Sequence, residues 1–251
     1  RLVELIQLIL KIMQIIKSFI SVFKKKYLSL NQIINCVLSI FKREYLLTFR
    51  NFYDVLTIIT FFILGIIIFI FSIGPEQGIY SQIGIGIIWT LLLLSTNLSI
   101  KKYYQDDFND GSIILFIISG ISLEFIVILK MIAAWFFFQF PFLLIIPIAC
   151  LLLEVDSDKI LLLLLTFTIG SPILAAISSI SGSMNLLNDK NFTIGSIIVM
   201  LLSIPIIIFS VGIVEASPEI MKAQLKILLG ILMLFLGITP WISAICIRIA
   251  L

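Results

Sequence analysis

Six apolar stretches free of any charged residue, each 21 to 29 residues long, recur along this chain: Val55–Pro75, Gln77–Ile100, Met131–Leu153, Ile160–Asn188, Asn191–Val214 and Ile227–Ile247. Short charged patches separate them. A helix rises about 1.5 Å per residue, so ~20 apolar residues cross a hydrocarbon core of roughly 30 Å. The pattern predicts an all-α polytopic membrane protein with six transmembrane helices, with spans near 55–75, 80–100, 125–150, 160–183, 192–214 and 226–247. Val and Ile are abundant, but the two-residue alternation of a membrane β-barrel is missing.

Two amphipathic segments precede the spans. In Leu2–Phe23 the polar residues Glu4, Gln7, Lys11, Gln14, Ser18 and Ser21 follow steps of three and four, so they share one helical face. This predicts a helix lying in the membrane interface, with Lys24, Lys25 and Lys26 beside lipid headgroups. A seventh span and a cleaved targeting segment fit the same pattern. In FKREYLLTFRNFYD, Phe41, Tyr45, Phe49 and Phe52 line one side, while Arg43 and Arg50 lie seven apart on the other. That spacing predicts an elbow helix running straight into the first span. A plain aromatic and basic anchor for that span is the simpler account.

Turn chemistry marks the connections. Gly74-Pro75 ends the first span, since proline cannot continue the ladder, and Ser72, Gly74, Pro75 and Glu76 form an outer-face turn. That turn is either a solvated corner or a contact for an outer partner or gate. Glu124 and Lys130 mark the entry to the third span, where the long stem of Lys130 can snorkel to the surface. The fourth span closes in AAISSISGS, small residues that allow close helix packing. NDK makes a short inner turn, and EASPEIMKAQLK is a last outer segment, helical after Pro218.

Composition agrees with a membrane protein. Hydrophobic residues make up 61% and charged residues 12%, against roughly 45–50% and 25% in soluble domains. The net charge of +3 matters less than its placement: residues 1–54 hold nine Lys or Arg, and Lys101, Lys102, Lys130, Lys190 and Arg248 share their side. The other side has Lys159, Lys222 and Lys226 among Glu76, Glu154, Asp156, Asp158, Glu215 and Glu219. Basic residues favour the cytoplasm, so both termini are expected there. Because the bases cluster at membrane boundaries, nucleic acid is not an expected partner. Cys36, Cys150 and Cys246 are expected to be packing residues without an internal disulfide.

Several chemistries are excluded. The chain has no histidine, which removes Ser-His and Cys-His catalysis, HExxH zinc sites and a histidine axial ligand for haem. No P-loop motif occurs, so ATP is not bound that way. Tyr53-Asp54 lacks the GxGD partner of an intramembrane aspartyl protease. No charge lies within the six stretches, so a proton-coupled carrier is disfavoured and energy is expected from a partner. The loop KKYYQDDFNDGS places Asp106, Asp107 and Asp110 within five residues, with Gly111 supplying the positive φ that ends a short helix. It reads as a charged docking knob or a solvated loop. Its two adjacent aspartates do not match the alternating ligands of a calcium loop, so no metal is expected.

Seven pieces of the chain carry a family resemblance: FKREYLLTFRN, SIGPE, GIIWTLLLLS, DDFNDGS, LKMIAAW with Lys130 and Trp135, TIGSPILAAIS and ITPWISAICIRIAL. In this order across Phe41–Leu251 they resemble the haem exporter protein B family, CcmB. GSIILFIIS, after the aspartates, is more apolar than that family's usual continuation. The resemblance implies a permease domain over 39–251, related to ABC-2 exporters, behind an N-terminal extension over 1–38. It implies a non-enzymatic subunit of an ABC-type complex for c-type cytochrome biogenesis, with a separate CcmA-like ATPase, a CcmC-like haem-handling protein and a CcmD-like small subunit in the lipid bilayer. ATP is then used by the partner, and haem is a pathway substrate rather than a bound cofactor. Asp106, Asp107, Asp110 and Gly111 become the ATPase-coupling loop, and Arg43 and Arg50 belong to the elbow helix. The work done is either haem export or release of a haem-loaded chaperone. A lipid or drug permease and a non-transporting scaffold are the alternatives. The compartment is a bacterial inner membrane or a mitochondrial one.

Overall fold

The computed structural model describes residues 30–74, 78–187 and 193–251. The Leu2–Phe23 segment, the Lys24–Lys26 run, Pro75, Glu76 and the Asn188–Lys190 turn lie outside the described residues. Packing divides the chain into Arg1–Arg43 and Glu44–Leu251. Helix α1 (Leu30–Arg50) starts eleven residues before Phe41, and the second unit begins within it at Glu44.

The described residues are helical, without strands, and six helical segments are long and apolar enough to cross a membrane. The first is α2 (Phe52–Ile73). It does not continue α1 directly, because Asn51 breaks the helix at φ −105° and ψ 39°. Its buried residues Val55, Ile58, Phe62 and Ile66 fall at steps of three and four, one narrow stripe; the remaining circumference is left to lipid. Gly74 (φ +80°) ends it, and Gly78 (φ +92°) precedes α3 (Ile79–Leu98). The Tyr80 hydroxyl reaches back to the carbonyls of Ile70 (2.9 Å) and Gly74, tying the two helices at this end.

After α3 the chain makes a 3-10 turn (Ile100–Tyr103), then two short helices, α4 (Gln105–Asn109) and α5 (Ser112–Ile118). The third span runs from Leu123 to Leu152 and is composite: α6 (Leu123–Ala134), a π-helical segment (Trp135–Gln139) and α7 (Phe142–Leu152). Pro141 explains the break. It has no N–H and its ring crowds the preceding turn, so the ladder widens to the bond from Phe140 N–H to Trp135 O at 3.0 Å. This span begins eight residues before the charge-free stretch Met131–Leu153, and so takes Glu124 and Lys130 into the bundle.

Helix α8 (Ser157–Asn185) is the central column, packed by α9 (Thr193–Glu215) and α10 (Pro218–Ala250). Its small residues permit this. A Cβ added at Gly182 would stand 3.0 Å from the Ile100 carbonyl and 3.1 Å from Tyr103 Cβ, so only glycine lets the 3-10 turn approach so closely. Pro218 opens α10, whose 33 residues extend roughly 50 Å, beyond the hydrocarbon core. Its first turns carry Glu219, Lys222 and Lys226, where polar residues meet water.

Candidate functional site

The polar residues of the second unit gather at the end of the bundle where α2 starts and α3 and α10 finish. Tyr103 and Tyr104 are fully buried there against α8. The Tyr104 hydroxyl lies 2.7 Å from Ser179 Oγ, and Ser179 lies 3.4 Å from Ser243 Oγ on α10. Burial raises both phenols above the ordinary tyrosine range, for Tyr103 with a further push from Tyr104, so both remain neutral hydroxyls.

These tyrosines seat α4 and give its aspartates different fates. Asp107 points inward, 5% exposed, and its carboxylate accepts a hydrogen bond from Lys130 Nζ. Asp106 and Asp110 face outward, and Asp110 Oδ1 accepts the Ser112 N–H at 3.1 Å. Gly111 takes φ +76°, turning α4 into α5. The charged knob expected from DDFNDGS is thus split: two carboxylates face out and one is enclosed. Beyond the turn, Ile113 packs inward while Ile114, Leu115 and Ile118 are exposed, so the apolar GSIILFIIS run places greasy surface beside the outward aspartates.

Lys130 differs most from the sequence expectation. Rather than snorkelling to the surface it is 4% exposed. Its ammonium donates to Asp107 of α4 and to Glu44 Oε1 of α1 at 3.0 Å, and lies 6.0 Å from the Tyr104 ring centroid. Desolvating an ammonium is expensive, and two carboxylates on separate segments offset that cost here. At the start of the same span Glu124 accepts from Arg248 Nη2 at 2.6 Å, joining α6 to the end of α10. Glu44 and Glu124 were missed as functional candidates. The available signal was Ser122 and Glu124 opening a helix, which puts Lys130 two turns inside it.

Arg50 is exposed and Arg43 half-buried on α1. Nearby, Tyr45 stacks on Phe49 and meets Phe137, each at 6.0 Å between centroids. Ser72 is exposed at the opposite end of α2, where Gly74 N–H donates to Ile70 O at 3.2 Å. At that end Lys159 pairs with Asp156 (3.2 Å) and Glu215 (3.4 Å) on an exposed surface. Farther along the third span, Trp135 Nε1 donates to Ser171 Oγ at 2.9 Å. The buried Gln139 amide spans the Ser171 carbonyl and the Ala175 N–H, holding the π segment to α8. Among the described residues no three His, Cys, Asp or Glu are placed to hold a metal ion.

Comparison with known proteins gives one consistent result. The family model described as CcmB protein matches residues 35–250. The chain is 33% identical over 154 residues to Heme exporter protein B of Haemophilus influenzae, covering 61% of this chain and 70% of that protein. It is 26% identical over 161 residues to Heme exporter protein B of Pseudomonas aeruginosa, covering 64% and 72%. A third relative, Heme exporter protein B of Escherichia coli, is 33% identical over 96 residues, covering 38% and 44%.

Proposed function

The chain belongs to the CcmB family, and from that premise we propose that it is the membrane permease subunit of an ABC-type complex serving c-type cytochrome biogenesis. The family match over residues 35–250 carries this reading. Six membrane-crossing helices and the lack of a nucleotide-binding motif support it, because a permease of this kind draws its energy from another chain. The ATP-hydrolysing partner is a CcmA-like subunit, with CcmC-like and CcmD-like subunits beside it. The Asp106, Asp110 and Gly111 end faces the cytoplasm of a bacterial inner membrane, as do both termini.

The outward carboxylates Asp106 and Asp110, on a segment ended by Gly111, present a compact acidic surface for a basic patch on the ATPase. Asp107 serves the same segment from within, as an anchor rather than a contact. Arg43 and Arg50 lie on the elbow helix beside headgroups or the same partner. ATP-driven closure of the partner moves the coupling segment, the helices shift, and the outer surface near Glu76 and Glu215 changes. Its output is haem export or release of a haem-loaded chaperone.

Tagged protein purified from bacterial membranes should carry the ATPase with it. Replacing Asp106 and Asp110 together by Ala should reduce the co-purified ATPase roughly fivefold to tenfold, a loss of about 1–1.4 kcal/mol of binding, while the amount of inserted protein stays unchanged. Undiminished co-purification would place the ATPase contact elsewhere.

A further inference from the structure

We propose that Lys130 is a positioning residue: it ties the coupling segment α4 and the Glu44–Arg50 part of α1 to the third span, so that displacement of α4 reaches the bundle through the Asp107–Lys130–Glu44 cluster. This rests on the permease reading above and names the route by which its docking segment acts.

Three observations converge. First, α4 has only five residues and is flanked by the 3-10 turn and the Gly111 corner, so it cannot hold its position through its own hydrogen bonds. Its inward attachments include the Tyr104–Ser179 contact, the packing of Phe108 and the ion pair from Asp107. Second, Lys130 joins segments distant in sequence: Asp107 lies 23 residues away and Glu44 lies 86 away. One ammonium therefore connects α1, α4 and α6. Lys130 is 4% exposed and the Asp107 side chain 6%, so pulling Asp107 away from the ammonium would leave its carboxylate buried without a counter-charge, which makes this link stiff.

Third, the span that carries Lys130 has a weak point just beyond it. The π segment starts at Trp135, five residues farther along, where the wide turn before Pro141 interrupts the α ladder. A pull on Lys130 from α4 acts on α6, whose far end is this segment, and Trp135 and Gln139 pass the shift to Ser171 and Ala175 of α8. An apolar contact between α4 and α6 would slide under the same load. Two carboxylates on one ammonium instead resist sliding and oblige the three helices to move together.

The test separates attachment from architecture. The triple variant Glu44→Met, Asp107→Leu, Lys130→Met replaces the charges by apolar side chains of similar volume, a change that buried ion clusters often tolerate without unfolding. In a bacterial strain lacking its own CcmB protein, this variant should insert and retain the co-purified ATPase. Covalent haem in c-type cytochromes should nonetheless fall roughly tenfold or more, within the range of ordinary coupling effects. On the purified chain without partners, hydrogen exchange of the Gln105–Gly111 amides should rise roughly tenfold. Exchanging the charges with Glu44 neutralised (Glu44→Gln, Asp107→Lys, Lys130→Asp) should restore a substantial part of the haem signal even if the apolar triple variant inserts poorly. Wild-type haem levels in the apolar triple variant, alongside faster exchange, would overturn the route and leave the permease reading intact. Failure of the charge exchange to exceed the variant carrying only Glu44→Gln and Lys130→Asp would also overturn it. Absence of any ATPase on the unsubstituted protein would count instead against the permease reading.

Discussion

Lys130 and Lys159 are both paired with two acids, yet their surroundings separate them. Lys130 is 4% exposed between Asp107 and Glu44, while the Lys159 side chain is 27% exposed and its partners Asp156 and Glu215 are more open still. Removing the buried cation leaves two carboxylates enclosed together, so Lys130→Met should destabilise the protein by roughly 3–5 kcal/mol. Lys159→Met should change stability by less than about 1 kcal/mol, since an exposed pair is screened by water and salt. Unfolding in mixed detergent micelles measures both, and equal effects would contradict the burial argument. The tyrosines add a dependence on pH. Burial raises the Tyr103 and Tyr104 pKa in the folded state, so unfolded chains release protons first as pH rises. Stability should therefore be full below about pH 10, the ordinary tyrosine value, and fall above it. Replacing both residues by Phe should flatten that alkaline decline, which a stability series from pH 8 to 11 would reveal.

At the scale of elements, the spans were legible because membrane crossing is a local property, set by length and hydropathy. The third span was placed near 125–150 and runs from Leu123 to Leu152, but the enclosure of Glu124 and Lys130 within it was not legible, because Arg248, Asp107 and Glu44 compensate them from far along the chain. Partners separated by 23, 86 and 124 residues leave no periodic trace. The elbow was read with its aromatic face but without the interruption at Asn51, and the helix before it starts at Leu30. In DDFNDGS the corner at Gly111 was visible as turn chemistry, whereas the inward turn of Asp107 was not, since five residues are too few to establish a face. The small residues of the fourth span had a readable purpose that can be tested at one position. Gly182→Ala forces a methyl against the Ile100 carbonyl at 3.0 Å and should cost about 1–3 kcal/mol by overpacking. The same micelle unfolding measurement checks this, and an unchanged stability would show that the 3-10 turn gives way freely.

Across the whole molecule, charge is divided by function as well as by side. The end with Tyr104, Asp107, Lys130, Glu124 and Arg248 is built from enclosed or partly enclosed ion pairs that bind elements together. The opposite end, with Asp156, Lys159 and Glu215, carries an open one. The proposed partner-driven role calls for rigid connections where the partner acts, and among the described residues the first end combines these with the outward Asp106 and Asp110. Membership of the CcmB family turns that arrangement into a specific expectation about cytochromes. The most direct measurement is to express the chain in a bacterial strain lacking its own CcmB protein and to stain the membrane proteins for covalent haem. Bands of c-type cytochromes should reappear, and should vanish again when the host ATPase is made unable to hydrolyse ATP. Protein that inserts and binds the host ATPase yet restores no covalent haem would contradict a role in cytochrome maturation.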